Sequence, residues 1–553
     1  MSSTLFRRKT LGLLADEAAA RGAGTLRRVL GPLGLVAFGV GVIVGAGLFS
    51  ITGTVAAAYT GPAITISFAI AALGCALTGL CYAEFASMIP ISGSAYTYSY
   101  ATMGELIAWI IGWDLVLEYT VAAITVSISW SQYLVQFLAD CGMVLPADFT
   151  ACPWDGGALN LPAAAVVVVM TLFLVRGTRE SALLNNIIVA LKVGVILLFI
   201  VLGWHYIDAD NYRPYLPPNT GELGVFGWSG VLRGAAIVFF AFLGFDAVST
   251  AAQESRNPRR DMPIGILLSL LVCTVLYVLF GHVMTGVAHY TEFAGKEGLA
   301  PVAVAIGHMG SAAGTETVAG SAYPWLGKAV MIAILLGYCS VILVLLMAQS
   351  RIFMAMSRDG LLPPVFSRLS RRRRTPVGNN LIFMVVVAVL AAVMPARVAG
   401  EMCSIGTLLA FMLVSGGVIV MRRTMPAAPR AFRVPFVPLV PLLGIAVCLV
   451  LMIFLPADTW IRLVVWMLIG LDIYAGYGIG RSHLAAGNRE APVSARLALY
   501  ALCLLLAVLC IVTGFWHQAS AGWQSDRTML CVALVFGLGH TVYYAWRLAA
   551  CRC

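Results

Sequence analysis

Residues 42–53 read VIVGAGLFSITG and lie in a hydrophobic segment long enough to cross a membrane. Glycine destabilises a helix interior because it leaves the backbone too free. Yet Gly39, Gly41, Gly45 and Gly47 crowd this segment. The pattern therefore predicts a membrane helix that is interrupted near its middle.

The composition indicates that such segments recur along the whole chain. Hydrophobic residues make up 60% of the 553 residues and charged residues only 11%, whereas a soluble domain carries about 25% charged residues. A span needs roughly 20 apolar residues, and we predict about 14 transmembrane helices. The predicted spans, numbered 1 to 14, are 33–58, 63–86, 103–137, 161–175, 182–206, 231–253, 263–288, 325–349, 379–396, 400–421, 438–456, 459–480, 497–516 and 528–546.

The net charge of +10 is better explained by the orientation of the chain in the membrane than by binding to a nucleic acid. With a cytoplasmic N-terminus, most Lys and Arg residues fall in the alternate segments that would face inwards, as the positive-inside rule requires. We therefore expect a multi-pass cell-membrane protein with both termini in the cytoplasm, and the Ala, Gly and Arg content suggests a bacterial inner membrane. The predicted parts are a tail at 1–32, a ten-helix core at 33–421, spans 11 and 12 at 438–480 and two extra helices at 495–548.

A second predicted span is interrupted in the same way as the first. Span 6 contains GAAIVFFAFLGFDAVST at 234–250, where Gly244 is followed by the acidic Asp246. Spans 1 and 6 are five apart, so they cross the bilayer in opposite directions. Two broken helices in corresponding positions of opposed halves point to an inverted-repeat transporter with its binding site at the breaks.

The physics of a break indicates what it binds. Unwinding a helix in hydrocarbon leaves N–H and C=O groups unsatisfied unless they line a cavity and a polar ligand takes them up. Free N–H groups at a half-helix N-terminus attract a carboxylate, and free carbonyls attract an ammonium group. A ligand with both charges is an amino acid. The alternative is that the glycines only permit close helix packing.

Several motifs together resemble a known family. GAGLFSITG at 45–53 resembles the first-span motif of the amino acid–polyamine–organocation (APC) superfamily. FFAFLGFDAVSTAAQESRNPRRDMPIGI at 239–266 resembles the sixth span and following loop of its cationic amino acid transporter family, and CYAEFASMIPISGSAYTYSY at 81–100 and GELIAWIIGWDLVLEY at 104–119 match its second and third spans. The resemblance covers roughly residues 1–480.

The resemblance implies an all-α polytopic membrane protein with a LeuT-like 5+5 inverted-repeat core in spans 1–10, followed by additional C-terminal helices. It also implies sodium-independent import or exchange of amino acids. The substrate carboxylate would meet the backbone N–H groups of Ala46, Gly47 and Leu48. The amino group would meet the carbonyls of Ile43, Phe240, Ala241 and Leu243, and Phe240 would also supply an aromatic lid.

Lys192 is the notable basic residue inside a span, because intramembrane charges are costly and usually functional. Burial disfavours the charged form of a lysine, so Lys192 could lose and regain a proton near neutral pH. The resemblance places its ammonium where sodium-coupled relatives hold a cation. We predict proton coupling through Lys192, and the alternative is a permanently charged structural tether.

Two carboxylates also lie near the predicted pocket, Glu118 in span 3 and Asp246 in span 6. Two interpretations stay open for them: one accepts a cationic side chain or gates the site, or both only anchor the broken helices. Arg233 in span 6 argues against a cationic substrate if it lies in the entry path, because a fixed positive charge there repels lysine or arginine; the alternative is that Arg233 faces lipid headgroups.

An enzyme is not expected, because the sequence contains no HExxH, GxSxG or clustered Cys/His motif. The predicted partners are an amino acid, protons and membrane lipids, with no cofactor, metal or nucleic acid. Three further functions stay open: an amino acid exchanger, a polyamine or amine transporter and a sensor that does not transport. The sequence leaves open the oligomeric state and whether Cys141 pairs with Cys152 in a disulfide.

Overall fold

The computed structural model of the chain describes most of its residues. The described ranges are 5–10, 12–14, 30–89, 93–176, 182–294, 301–310, 322–368, 370, 376–485, 492–521 and 527–550.

The described part of the chain is helical, with a single isolated bridge between Leu30 and Ser255. In these ranges ten helices are long and apolar enough to cross a membrane, and four shorter apolar helices accompany them. The prediction of an all-α polytopic membrane protein is therefore confirmed.

The twelve uninterrupted spans agree with the predicted spans to within a few residues at most of their ends. Their helices are Ile64–Met88, Glu105–Asp140, Leu161–Arg176, Ala182–Gly203, Pro258–Val287, Pro324–Arg358, Val377–Val393, Ala396–Thr424, Leu439–Ile453, Ala457–Ile473, Val493–Ala521 and Thr528–Ala550. Prolines open several of them, because a proline in the first helical turn removes only an N–H that has no intrahelical partner. Span 12 continues beyond Ile473 through a π-helical turn, Tyr474–Gly478.

Spans 1 and 6 are both interrupted, as predicted. Span 1 consists of the helix Pro32–Ile43, a break, and a second half that begins with the π-helical turn Gly47–Ile51. Span 6 consists of the helix Gly227–Val238, a 3₁₀ turn at Phe239–Phe242, and the helix Phe245–Thr250.

The packing of the helices places the two breaks in the interior. Span 3 packs along spans 8 and 10, and span 7 packs along span 2 and the first half of span 1. Spans 3 and 6 are the most deeply buried of the long helices. The two C-terminal helices pack mainly on each other and on span 12, so they lie outside this core.

Part of the predicted N-terminal tail is packed on the core. The Leu106 N–H donates to the Leu5 carbonyl at 2.9 Å and the Lys9 N–H donates to the Tyr100 carbonyl at 3.2 Å. The Lys9 ammonium also pairs with Asp359 at 2.6 Å. We call residues 5–10 the N-terminal strap. It ties the start of the chain to the ends of spans 3 and 8.

Cys141 and Cys152, whose pairing the sequence left open, are both free thiols in the structure. Cys141 is exposed, whereas Cys152 is buried and its thiol donates to the Asp155 carboxylate at 3.0 Å. Burial raises the pKa of the Cys152 thiol, which keeps it protonated and weakly reactive.

Candidate substrate and proton site

The two breaks touch each other directly. A Cβ added to Gly47 would lie 2.3 Å from the Ala241 Cα, so only glycine lets the two backbones approach this closely. On the other side of the contact, Gly244 has a φ of 109°, and a Cβ added there would lie 2.5 Å from the Val42 side chain. Left-handed backbone of this kind is readily adopted only by glycine. These glycines allow the unwound segments of spans 1 and 6 to form one site.

The structure brings the predicted binding residues together at this contact. All seven are buried, and none of the six with a side chain is more than 6% exposed. The site is therefore closed to solvent in this conformation. Its residues are Ile43, Ala46, Gly47, Leu48, Phe240, Ala241 and Leu243.

Two of the predicted backbone groups already have backbone partners within the chain. The Leu48 N–H donates to the Gly45 carbonyl at 3.2 Å, and the Phe240 carbonyl accepts from the Leu243 N–H at 3.1 Å. Each bond joins residues three positions apart, as in a tight turn, rather than four positions apart, as in an α-helix. A ligand must therefore share these groups or replace the local bonds.

Tyr277 of span 7 links the two breaks, although nothing in the sequence singled it out. Its hydroxyl lies 2.8 Å from the Ile43 carbonyl and 2.8 Å from the Ala241 carbonyl. A phenol carries a single hydrogen to donate, so two buried carbonyls compete for one donor. One of the two carbonyls therefore has no hydrogen from Tyr277 at any moment. No local motif marks Tyr277, since it meets these carbonyls only through the fold.

Lys192 reaches the break of span 1 from span 5. Its ammonium donates to the Gly41 carbonyl at 2.9 Å and to the Val44 carbonyl at 3.2 Å, and the side chain is 1% exposed. The side chain runs against Gly337 of span 8, where a Cβ would lie 2.5 Å from the lysine Cε. Lys192 thus connects span 5 with spans 1 and 8.

Three buried carboxyl groups form a cluster that we call the acidic cluster: Asp114, Glu118 and Asp246, each 0% exposed. The Tyr119 hydroxyl donates to one oxygen of Asp246. The other oxygen of Asp246, and both oxygens of Asp114 and Glu118, have no hydrogen-bond partner within the described ranges. Burial of charged carboxylates is costly unless they are paired or hydrogen-bonded, which makes the acidic cluster a candidate site for a proton or a cation.

Asp114 was not among the predicted site residues, although the sequence carries a signal for it. It precedes Glu118 by four residues on span 3 and therefore shares its helix face. It lies beside Gly406 of span 10, where a Cβ would stand 3.1 Å from its Oδ1.

Other ionisable residues of the core have structural partners. Glu84 receives two bonds from Arg422, at 2.8 and 2.7 Å, and one from Arg430 at 3.1 Å. Glu105 accepts from Tyr474 at 2.9 Å and also from Tyr100 and Ser482. These two carboxylates hold helix ends and loops in place.

Basic side chains gather at the opposite end of the core. Arg397 and Arg462 lie 4.0 and 3.8 Å from Glu401. Arg233 stacks over the ring of Tyr59 with its guanidinium carbon 4.6 Å from the ring centre. Three guanidinium groups thus lie near the ends of spans 1, 6, 10 and 12 that the predicted topology places outside.

The chain belongs to the amino acid permease family, whose family model matches residues 30–473. The resemblance to the APC superfamily is thereby confirmed. The protein is a membrane transporter of this family and not an enzyme. The match ends in span 12, before the two C-terminal helices.

Curated relatives cover most of the chain. The branched-chain amino acid permease of Bacillus subtilis is 44% identical over 491 residues, which cover 88% of this chain and all of the relative. The methylthioribose transporter of the same organism is 42% identical over 477 residues, covering 86% of this chain and 98% of the relative. A vacuolar cationic amino acid transporter of Arabidopsis thaliana is 36% identical over 415 residues, which cover 73% of this chain and 65% of the relative.

Proposed function

We propose that the protein moves α-amino acids across the membrane by alternating access, coupled to protons and independent of sodium. The substrate lies between the breaks of spans 1 and 6, within an inverted-repeat core of ten helices. Its carboxylate meets the N–H groups at the start of the second half of span 1, and its ammonium meets carbonyls of both breaks.

The observation that carries this proposal is the shared hydroxyl of Tyr277. One phenolic hydrogen faces the carbonyls of Ile43 and Ala241, each at 2.8 Å. An ammonium group supplies up to three N–H donors, so a bound substrate would satisfy the carbonyl that Tyr277 leaves without a hydrogen. N–H groups at the start of a half-helix favour a carboxylate, which here would share or replace the bond from the Leu48 N–H to the Gly45 carbonyl.

Proton coupling rests on Lys192 and the acidic cluster. Lys192 pairs with two carbonyl oxygens, and no carboxylate lies within ion-pair distance of it in the described ranges. Loss of its proton would remove the positive charge that strengthens the bonds to the Gly41 and Val44 carbonyls, and so weaken the hold of Lys192 on the first half of span 1. The carboxyl groups of the acidic cluster, in spans 3 and 6, would exchange protons as the site opens.

The substrate is more consistent with a neutral amino acid than with a cationic one. Arg233 stacks on Tyr59 and disfavours a cation on entry, whereas the charges of Arg397 and Arg462 are offset by Glu401 and Asp458. A relative at 44% identity is named a branched-chain amino acid permease. The acidic cluster supports the second candidate, a cationic amino acid. A cationic side chain that reached the cluster would neutralise its unpaired carboxyl groups.

Counterflow in proteoliposomes tests the proposal. Liposomes loaded with unlabelled leucine, lysine, putrescine or methylthioribose receive the same radiolabelled compound, with and without sodium. We expect sodium-independent accumulation of leucine, and acceleration of net uptake by an inward proton gradient. Lysine counterflow alone would favour the cationic substrate, and putrescine or methylthioribose alone would contradict an amino acid site.

The same liposomes distinguish a proton-coupled transporter from an antiporter and from a sensor. An antiporter would exchange internal for external amino acid at the same rate with and without a proton gradient. A thermal shift with an amino acid but no counterflow identifies a sensor, because ligand binding stabilises the folded state without any transport.

A further inference from the structure

A groove opens at the N-terminal end of span 7, away from the breaks and at the end that the predicted topology places in the cytoplasm. Its volume is about 880 Å³. One side is the first half of span 7, and the other is the loop between spans 10 and 11. The main lining residues are Arg259, Arg260, Ile264, Leu267, Leu271 and Phe432.

The loop wall of the groove is firmly attached to the core. The Phe432 N–H donates to the Ser87 hydroxyl at 3.4 Å, and the Val434 N–H donates to Glu84 at 2.7 Å. Arg430 reaches the same Glu84 carboxylate. The groove is thus a built feature of the fold rather than a gap beside a loose loop.

The helical wall carries one apolar face with a basic end. Ile264, Leu267, Leu268 and Leu271 follow the i, i+3, i+4, i+7 spacing of a single helix face, and Arg260 precedes Ile264 by one turn. From Arg260 to Leu271 the helix rises by about 16 Å. One leaflet of the hydrocarbon core is roughly 15 Å deep. The apolar face therefore matches the length of a lipid chain in the inner leaflet.

The two arginines at the foot of this face are available for a ligand. Both are exposed, and neither guanidinium has a hydrogen-bond or ion-pair partner among the described residues. The adjacent carboxylate of Asp261 is instead used by the Asn257 N–H at 3.1 Å. Basic residues in the first turn of a helix also oppose the helix dipole, which a bound anion would correct.

We propose that this groove binds an anionic phospholipid of the inner leaflet. The phosphate group pairs with Arg259 and Arg260, and an acyl chain lies along Ile264, Leu267 and Leu271 against Phe432. Arginine suits this role because its fork of N–H donors matches phosphate oxygens, and basic pockets beside membrane helices on the cytoplasmic side recognise such headgroups.

Native mass spectrometry of the full chain tests the assignment. The purified protein is titrated with phosphatidylglycerol, phosphatidylcholine or glycerol phosphate, and bound molecules are counted. We expect one phosphatidylglycerol to bind in preference to phosphatidylcholine. The double variant Arg259→Gln/Arg260→Gln should weaken this binding about thirtyfold, since each of the two basic residues contributes on the order of 1 kcal/mol to anionic-lipid attraction.

The double variant Arg423→Gln/Arg496→Gln removes the same charge outside the groove and serves as the control. It should leave phosphatidylglycerol binding unchanged. If the control weakens binding as much as the groove variant does, the effect comes from general surface charge and the proposed site is wrong. Equal binding of both lipids, or displacement of phosphatidylglycerol by glycerol phosphate at equal concentration, would also overturn it. A changed oligomeric mass with unchanged lipid count would assign the groove to a second copy of the chain instead.

Discussion

At the scale of single residues, the site depends on side chains that donate hydrogen bonds to backbone carbonyls left without a helical partner by the breaks. Lys192 and Tyr277 both donate to carbonyls that an unbroken helix would have used internally. Removing a donor leaves a buried acceptor unsatisfied, which costs about 1–3 kcal/mol. Lys192 could be found from sequence because a charge in a span is conspicuous. Tyr277 could not, since an aromatic residue in a span is ordinary and its partners are more than thirty positions away.

We predict that Lys192→Met lowers amino acid uptake at least tenfold and flattens its dependence on pH. The methionine keeps most of the side-chain volume but cannot donate to the Gly41 and Val44 carbonyls. Uptake measured between pH 5.5 and 8 in proteoliposomes checks this. Lys328→Met, at an exposed lysine of span 8, is the control and should behave as wild type. Uptake that stays pH-dependent in Lys192→Met rules out a coupling role.

Tyr277→Phe should weaken substrate binding and reduce uptake by about tenfold, because both break carbonyls lose their internal donor. The apparent unfolding temperature should also fall by a few degrees, in line with a lost buried hydrogen bond. Tyr290→Phe provides the matched comparison, at a tyrosine whose ring packs on Phe226 outside the site. If Tyr277→Phe takes up substrate as well as wild type does, the Tyr277 hydroxyl has no role in substrate binding.

Gly47→Ala tests the close contact of the two breaks. The added methyl group would meet the Ala241 backbone at 2.3 Å, so spans 1 and 6 must separate. We expect loss of uptake together with lower thermal stability. Gly416→Ala in span 10, where a Cβ meets nothing within 4 Å, should be neutral or slightly stabilising. Full uptake in Gly47→Ala would show that the contact is not required.

At the scale of helices, the sequence predicted all the spans and both breaks because hydropathy and glycine clusters are local signals. It did not predict the form of the breaks. The π-helical turn at Gly47–Ile51 and the 3₁₀ turn at Phe239–Phe242 depend on which outside groups satisfy each carbonyl. For example, Tyr133 donates to the Phe49 carbonyl at 2.6 Å from span 3, a contact that only the assembled bundle creates.

A polar cluster joins the second C-terminal helix, span 14, to span 12. His540 lies 2.9 Å from the Asp472 carboxylate, and the Tyr544 hydroxyl donates to the same group. Both contacts join span 14 to span 12 within a membrane, where polar pairs between helices contribute about 0.6–2 kcal/mol. The family match ends at residue 473, so this attachment lies at the border of the shared core.

We therefore expect His540→Ala to lower the apparent unfolding temperature by a few degrees while the substrate concentration for half-maximal uptake stays unchanged. Differential scanning fluorimetry and uptake assays measure the two effects. His205→Ala, at an exposed histidine outside the bundle, should change neither. A large change in substrate affinity in His540→Ala would mean that the C-terminal helices act on the transport site.

At the scale of the whole molecule, the topology makes a prediction about access from each side of the membrane. With cytoplasmic termini, the loop that carries Cys141 lies outside the cell. A membrane-impermeant maleimide added to intact cells should label wild type and lose most of that signal in Cys141→Ser. Buried Cys152 should react poorly. If Cys141 is labelled only in permeabilised cells, its loop lies in the cytoplasm and the proposed orientation is wrong.

The N-terminal strap has a consequence for how the chain is made. Lys9 is synthesised well before its partner Asp359, which follows 350 positions later. At roughly 5–20 residues per second, translation needs on the order of 20–70 s to bridge that interval. The N-terminal strap thus waits for its partner while spans 1 to 8 are made, and this ion pair can form only after all eight have been synthesised.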